Sequence, residues 1–359
     1  MYMTDKSKAH VDACRFCWMC HHICPIGNAT GHERSTPRGR ALGISLVNRN
    51  SIELEEIMDN IYECAGCGAC VHDCVTGWDP VMFTREVRNA AALEGKLPAY
   101  IEKLVDNCLD TGNAYGTTVL CEGLQAAIAA HAGKTDTLLL LGADARYKAC
   151  KEGKKAINVL EKANVEFTVL ADEGPIGTQL NFLVGALEET TAQMRAMAEV
   201  CDAYKTVVVF DPDDAKTIIA TYGSLGIDVK ANVVTYPAYL ASLLASGALK
   251  AAPAEKRVVV QDHFALARDL DQTEDVRTVV KAYAQLDEML LSGKETVWAG
   301  NILMAEWMPD VIDLVAKRRI FNAKSVGATT IVCESPSEYT ALKAVAEDIE
   351  ILSLADLIL

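Results

Sequence analysis

No run of about eighteen consecutive apolar residues occurs in the chain, so no membrane-spanning helix is expected. The first residues, MYMTDKSKAHVDACRF, hold no apolar block that would act as a secretion signal. Both absences point to the cytoplasm, with any membrane attachment made through a partner. Thiols stay reduced there and structural disulfides are rare. No G-x-G-x-x-G follows a strand-like run, so the chain is expected to bind no dinucleotide of its own. Positive charge is also scarce: 34 Lys and Arg stand against 49 Asp and Glu, a net charge of −15. An acidic body repels phosphate backbones, which excludes nucleic acid as a partner. The deficit is uneven. In the first hundred residues ten basic side chains nearly balance twelve acidic ones, so almost all the excess lies beyond them. Finally, the 13 cysteines include no adjacent pair, and their odd number argues against a disulfide framework.

Eight of those cysteines fall into two matching motifs, CRFCWMCHHICP at 14–25 and CAGCGACVHDC at 64–74. Each reads Cys-x2-Cys-x2-Cys-x3-Cys. Three thiolates on a tight loop can cap three irons of a [4Fe–4S] cube. The fourth cysteine opens the next helix and ligates the other cluster in two-cluster proteins. The expected ligands are therefore Cys14, Cys17, Cys20 and Cys74 at site I, and Cys64, Cys67, Cys70 and Cys24 at site II. Zinc needs only four ligands per site and has no use for the crossed Cys24 and Cys74. A redox Cys-x-x-Cys would leave most of the cysteines unexplained. Gly66 and Gly68, with the small Ala65 and Ala69, let backbone amides turn toward sulfur. Arg15, Phe16, Trp18 and Met19 are larger and are expected to shield site I from water. His21, His22 and His72 are expected at the surface or in support of the ligands. Val75 stands where the first motif has Pro25.

The remainder of the first part reads as helices. SIELEEIMDNIYEC (51–64) has helical apolar spacing, and Pro80 and Pro98 open two more helices. TGNAYGTT (111–118) is a linker by composition. Beyond it, short apolar runs such as TLLLLG, EFTVLA, TVVVFD, RVVVQD, ETVWAG, TTIVCE and IEILSL alternate with amphipathic helices. That alternation specifies an α/β fold with mainly parallel sheets. Residues 207–218 and 330–342 share one plan of strand, turn and helix, with Asp211-Pro212-Asp213-Asp214 in one turn and Ser335-Pro336-Ser337-Glu338 in the other. The expected organisation is a helical two-cluster ferredoxin-like domain (1–115) followed by two α/β repeats (116–250 and 251–359). Asp213, Asp214 and Glu338 read as helix caps rather than acid–base groups. Asp262 and His263 would point to opposite faces of an extended segment and serve structure. The scattered Cys108, Cys121, Cys150, Cys201 and Cys333 read as small buried residues, with Cys333 at a strand end the one to check for reactivity.

The two cysteine motifs about forty residues apart, with STPRGRALGI (35–44) between them, resemble the family of iron–sulfur subunits grouped with that of heterodisulfide reductase. The glycolate oxidase iron–sulfur subunit and the small subunit of anaerobic glycerol-3-phosphate dehydrogenase are of this kind. The family's second half carries two Cys-Cys-Gly elements with later Cys-Pro-x-Cys turns, which hold a further iron–sulfur site in some members. Here Pro175-Ile176-Gly177 and Trp298-Ala299-Gly300 stand in those places. The two Pro-containing turns have lost their cysteines, and Phe264 and Ala265 replace a Cys-His pair. The resemblance implies an electron-transfer subunit of an oxidoreductase complex in anaerobic metabolism. It would work beside a flavoprotein dehydrogenase that holds the FAD, and pass electrons to a further carrier or membrane-associated acceptor. The alternative it implies is a catalytic subunit with a remodelled site. No catalytic residue is assigned.

Overall fold

The structure is a computed structural model, and it describes residue 1 and residues 3–359. The first 130 residues are helical, and the helices begin on local signals. Thr36 caps Pro37–Asn48 by accepting the Gly39 N–H, and Asp79 caps Pro80–Leu93 by accepting the Met82 N–H. In both a proline holds the first helical position, where a missing N–H leaves nothing unsatisfied. Gly112, at φ +75°, ends the helix Ala99–Thr111 that follows Pro98. The single helix expected over 51–64 is broken instead. A 3₁₀ turn, Leu54–Ile57, leads into a short helix, Met58–Tyr62. The tighter turn eclipses Leu54 and Ile57, so both enter the core that also buries Met58, Ile61 and Tyr62.

Among the described residues seven strands form two sheets. They are β1 (Thr137–Leu140), β2 (Thr206–Val209), β3 (Asn232–Thr235), β4 (Arg257–Gln261), β5 (Gln285–Asp287), β6 (Thr330–Cys333) and β7 (Glu350–Ser353). The orders are β1-β2-β3 and β5-β4-β6-β7, and every pairing is parallel. The α/β class with parallel sheets holds. Leu140 pairs with Val209 as Gln261 pairs with Cys333, so β1, β2 and β3 match β4, β6 and β7 in order and register. EFTVLA (166–171) adds only a bridge, Leu138 to Thr168, on the side of β1 that β5 takes on β4. ETVWAG (295–300) forms no strand. Its Ala299 N–H goes to the Glu338 carboxylate and its Thr296 hydroxyl to the Asp262 carbonyl, not to a ladder. The pattern does not mark β3 or β5, which are short and carry polar residues. Valines of β2, β4 and β6 share one core with the helices Cys150–Lys162 and Glu274–Tyr283, so apolar side chains join the two sheets.

The 111–118 segment is built in rather than loose. Asn113 and Ala114 are buried, and the Ala114 N–H donates to the Gln179 side chain at 2.8 Å. Asp262 and His263 do part company. The Asp262 carboxylate accepts from both Nη atoms of Arg277 at 2.7 and 3.2 Å and from the Gly293 N–H at 2.6 Å. Arg277 also holds Glu288 through two bonds of 2.9 Å, so losing Asp262 leaves the guanidinium paired but the Gly293 N–H and one buried Nη without their acceptor. Asp262→Ala should therefore cost about 1–3 kcal/mol, read by anaerobic urea unfolding. A loss under about 1 kcal/mol would show that water replaces the carboxylate.

Candidate metal centre

The chain brings its eight motif cysteines together in two sets of four. Cys14, Cys17, Cys20 and Cys74 line one cavity, with Trp18, Met19 and Arg38 around them. Cys24, Cys64, Cys67 and Cys70 line a second, with Pro25, Ile26 and Arg40. The last cysteine of each motif stands among the first three of the other. Two short helices, Met19–Ile23 and Ala69–His72, make this crossing. They pack on each other, and each carries its chain out of one loop and over to the other cavity. Among the described residues no three His, Cys, Asp or Glu side chains gather tightly enough for a single ion. The thiols stand around a space instead, which suits a cube with ligands at its corners.

The two loops use the same backbone. Phe16 (φ +54°) and Trp18 (φ +70°) occupy the positions that Gly66 (φ +66°) and Gly68 (φ +72°) hold in the second motif. The left-handed region suits glycine and strains a large side chain, so the first loop carries a strain that the second lacks. In return, amides point at sulfur. The N–H groups of Phe16, Gly27, Gly66 and Trp78 donate to the Sγ of Cys14, Cys24, Cys64 and Cys74, each at 3.4 Å. Such bonds favour the thiolate and added negative charge on a cluster.

The sites differ in environment, and the expected shielding of site I is overturned. Phe16 is 65% exposed, Trp18 46% and Met19 42%. Cys17 is exposed, and Cys14 and Cys74 are partly so. The left-handed backbone turns Phe16 and Trp18 outward, and the Arg38 guanidinium stacks on Trp18 at 3.8 Å. All four cysteines of site II are buried. Burial pushes the Cys67 thiol up to about 11 and the Cys70 thiol well above its ordinary value. At Cys64 burial is outweighed by the guanidiniums of Arg40 and Arg88, which leave the thiol below its ordinary value.

Those arginines escaped the sequence reading. Arg88 lies on the buried face of its helix with Thr84, Val87 and Ala91, and a charge within an apolar stripe was the available signal. It donates to the carbonyls of Ile61, Cys64 and Phe182. Arg268, from the π-helical turn Ala265–Asp269 after β4, donates twice to the Cys67 carbonyl. Nothing local in the sequence marks a residue two hundred positions from the loop it braces.

His72 bonds to Glu295 at 3.0 Å and His21 lies 3.4 Å from Glu33, both at the surface. Cys333 is buried, and burial pushes its thiol well up, which makes it unreactive. Cys121 departs from expectation: it is exposed, and it neighbours Cys150.

Of the two Pro-containing turns, the first, through Asp211, Asp213 and Asp214, faces a cavity of about 80 Å³ beside Ala65 and Gly66 of the site II loop. The helix caps of the two turns are Asp211 and Ser335, not the carboxylates expected. Asp214 and Glu338 sit three residues further on and are buried. His263 Nε2 lies 3.8 Å from Asp213 Oδ2, and burial lowers this imidazole to about 3, so it is neutral. Burial raises Glu338 to about 8 from an ordinary 4.5. The folded chain then keeps a proton that the unfolded carboxyl has released, so this contribution is full at low pH and fades as pH rises from 4.5 to about 8. Glu338→Gln should remove a slope of up to about 1.4 kcal/mol per pH unit in that window. Urea unfolding of both proteins across the window checks it; parallel curves would show that Glu338 is already ionised in the folded state.

Residues 10–78 match the family described as the 4Fe-4S dicluster domain. Over 335 residues the chain is 24% identical to an uncharacterized iron-sulfur protein of Methanocaldococcus jannaschii, which covers 89% of this chain. The match spans 65% of the length of that relative. The chain is an iron–sulfur protein with a ferredoxin-type N-terminal part. No helix among the described residues is long and apolar enough to cross a membrane.

Proposed function

We propose that the chain is an electron-transfer subunit carrying two [4Fe–4S] clusters. Cys14, Cys17, Cys20 and Cys74 hold one, and Cys24, Cys64, Cys67 and Cys70 the other. The observation that carries this is the crossed grouping of the cysteines into two cavities. The chain takes electrons from a flavoprotein dehydrogenase whose flavin handles the two-electron substrate, and hands them singly to a downstream acceptor. Site I, open to solvent and rimmed by Phe16, Trp18, Met19 and Val75, is the face on which a partner docks. The α/β part, residues 116–250 and 251–359, is the scaffold that braces site II. Anaerobic analysis should return about eight irons and eight sulfides per chain, with EPR of two interacting clusters on reduction. An additional cluster signal from a chain lacking residues 1–110 would defeat the reading.

One observation favours the catalytic alternative, a heterodisulfide-reductase-like enzyme: the cavity beside Gly66 adjoins site II. Its walls offer Asp144, Asp211, Asp213 and Asp214 but no thiol, so disulfide chemistry has no nucleophile there.

A further inference from the structure

Three guanidiniums surround site II, and among the described residues no carboxylate pairs with any of them. Arg40 is 3% exposed. It lines the cavity with all four cysteines, donates from Nη1 to the Ser35 carbonyl at 2.8 Å, and leaves its Nε without a partner. Arg88 is 2% exposed. It reaches the Cys64 carbonyl at 2.6 Å, and its Nε also lacks a partner. Arg268 reaches the Cys67 carbonyl at 2.6 Å from Nη2 and at 3.1 Å from Nε. Around site I the balance is different. Arg38 is neutralised by Glu33 at 2.6 Å, and Cys14, Cys17 and Cys74 meet solvent.

Buried cations without counterions are strongly unfavourable unless an anion completes the site. A four-iron cluster on four thiolates is a dianion when oxidised and a trianion when reduced. Three fixed guanidiniums therefore balance the reduced form and leave the oxidised form short of negative charge. Burial alone would oppose reduction, because the added electron places more charge in a poorly polarisable interior. The arginines reverse that bias, and at the depth of Arg40 and Arg88 salt screens little. Site I has the exposed Arg15 beside it, but water and mobile ions screen that guanidinium.

We infer that site II is the electron sink of the chain, with the higher midpoint potential, and that Arg40, Arg88 and Arg268 are the positioning residues that set it there. This rests on the two-cluster reading and adds a direction to it. One electron enters at exposed site I from a one-electron donor docked there and moves to site II; site I returns to its oxidised level, site II gains the electron, and no bond or proton changes hands. Arg268 belongs to the second sheet's half of the molecule, so the α/β part tunes a cluster of the N-terminal part.

The test is an anaerobic, EPR-monitored redox titration of the full, cluster-loaded chain. Two midpoints are expected, and the signal perturbed by Cys17→Ser should be the lower. Arg268→Met should shift the higher midpoint downward and leave the lower one in place, while Arg268→Lys, which keeps the charge, should hold most of the original value. Arg268 is partly exposed and safer to replace than Arg40 or Arg88. The inference is overturned if the higher midpoint belongs to the signal that Cys17→Ser perturbs. It also fails if Arg268→Met moves neither midpoint in protein of unchanged iron content. Iron for one cluster alone would instead remove the two-cluster reading, and the ordering with it.

Discussion

Cys74→Ser should strip or distort the cluster bound by Cys14, Cys17 and Cys20, sixty residues away in sequence, and spare the cluster beside its own motif. Cys24→Ser should do the reverse. The expected loss in each is about half the iron, from about eight toward four per chain. The cause is the cavity wall: Cys74 faces the first three cysteines of the other motif, with its Sγ fixed by the Trp78 N–H at 3.4 Å. Cys24 faces Cys64, Cys67 and Cys70, and its Sγ also accepts the Gly27 N–H that caps the following helix. The two variants should not be equally severe. Cys24 is buried in a core with Ile23, Ile26 and Phe264, so its loss should also loosen the contact with the α/β part. Cys74 is partly exposed, and its variant should fold normally. Iron analysis with EPR of each reduced variant is the measurement. Cys74→Ser losing only the signal that Cys67→Ser also removes would show that each motif binds its own cluster.

What could be read in advance follows from how local the cause is. Ligand spacing is local, so the eight cysteines could be picked out and paired before any fold was known, and the structure gathers them in that pairing. Pro80, Pro98 and the apolar runs of β1, β2, β4, β6 and β7 are local too. Exposure is not. The bulk of Phe16 and Trp18 suggested a shield, but their left-handed backbone points them outward, and no composition argument reports φ. The same holds for Asp214 and Glu338. Their place after a proline suggests capping, yet Asp211 and Ser335 sit one residue before that proline and take the N–H groups. Arg268 is the clearest case, since its role exists only once β4 is laid beside the Cys67 loop.

The second large effect concerns turnover. Cluster-loaded but flavin-free, the chain should be reduced and reoxidised by artificial one-electron reagents and yet convert no hydroxy acid, glycerol phosphate or disulfide. Such substrates exchange two electrons, and a [4Fe–4S] cluster passes one at a time; a flavin accepts the pair and releases it singly. Among the described residues the titratable groups facing the cavity next to site II are carboxylates, Arg85 and Lys216, with Lys216 held by Asp269 at 2.8 Å. Carboxyls there are pushed up by burial, Asp213 to about 6 and Asp211 and Asp214 well above their ordinary value. They can hold protons but cannot store electrons. In a complex with the flavoprotein, Cys14→Ser or Cys64→Ser should stop transfer to the final acceptor, a loss of about a hundredfold or more. Reduction of the partner's flavin by substrate should continue at its normal rate. Stopped-flow bleaching of the flavin, followed alongside acceptor reduction, separates the two steps. Equal slowing of both would mean that the variants disturb docking rather than conduction. Turnover of an organic substrate by the isolated, flavin-free chain would mean that the cavity beside Gly66 is an active site after all.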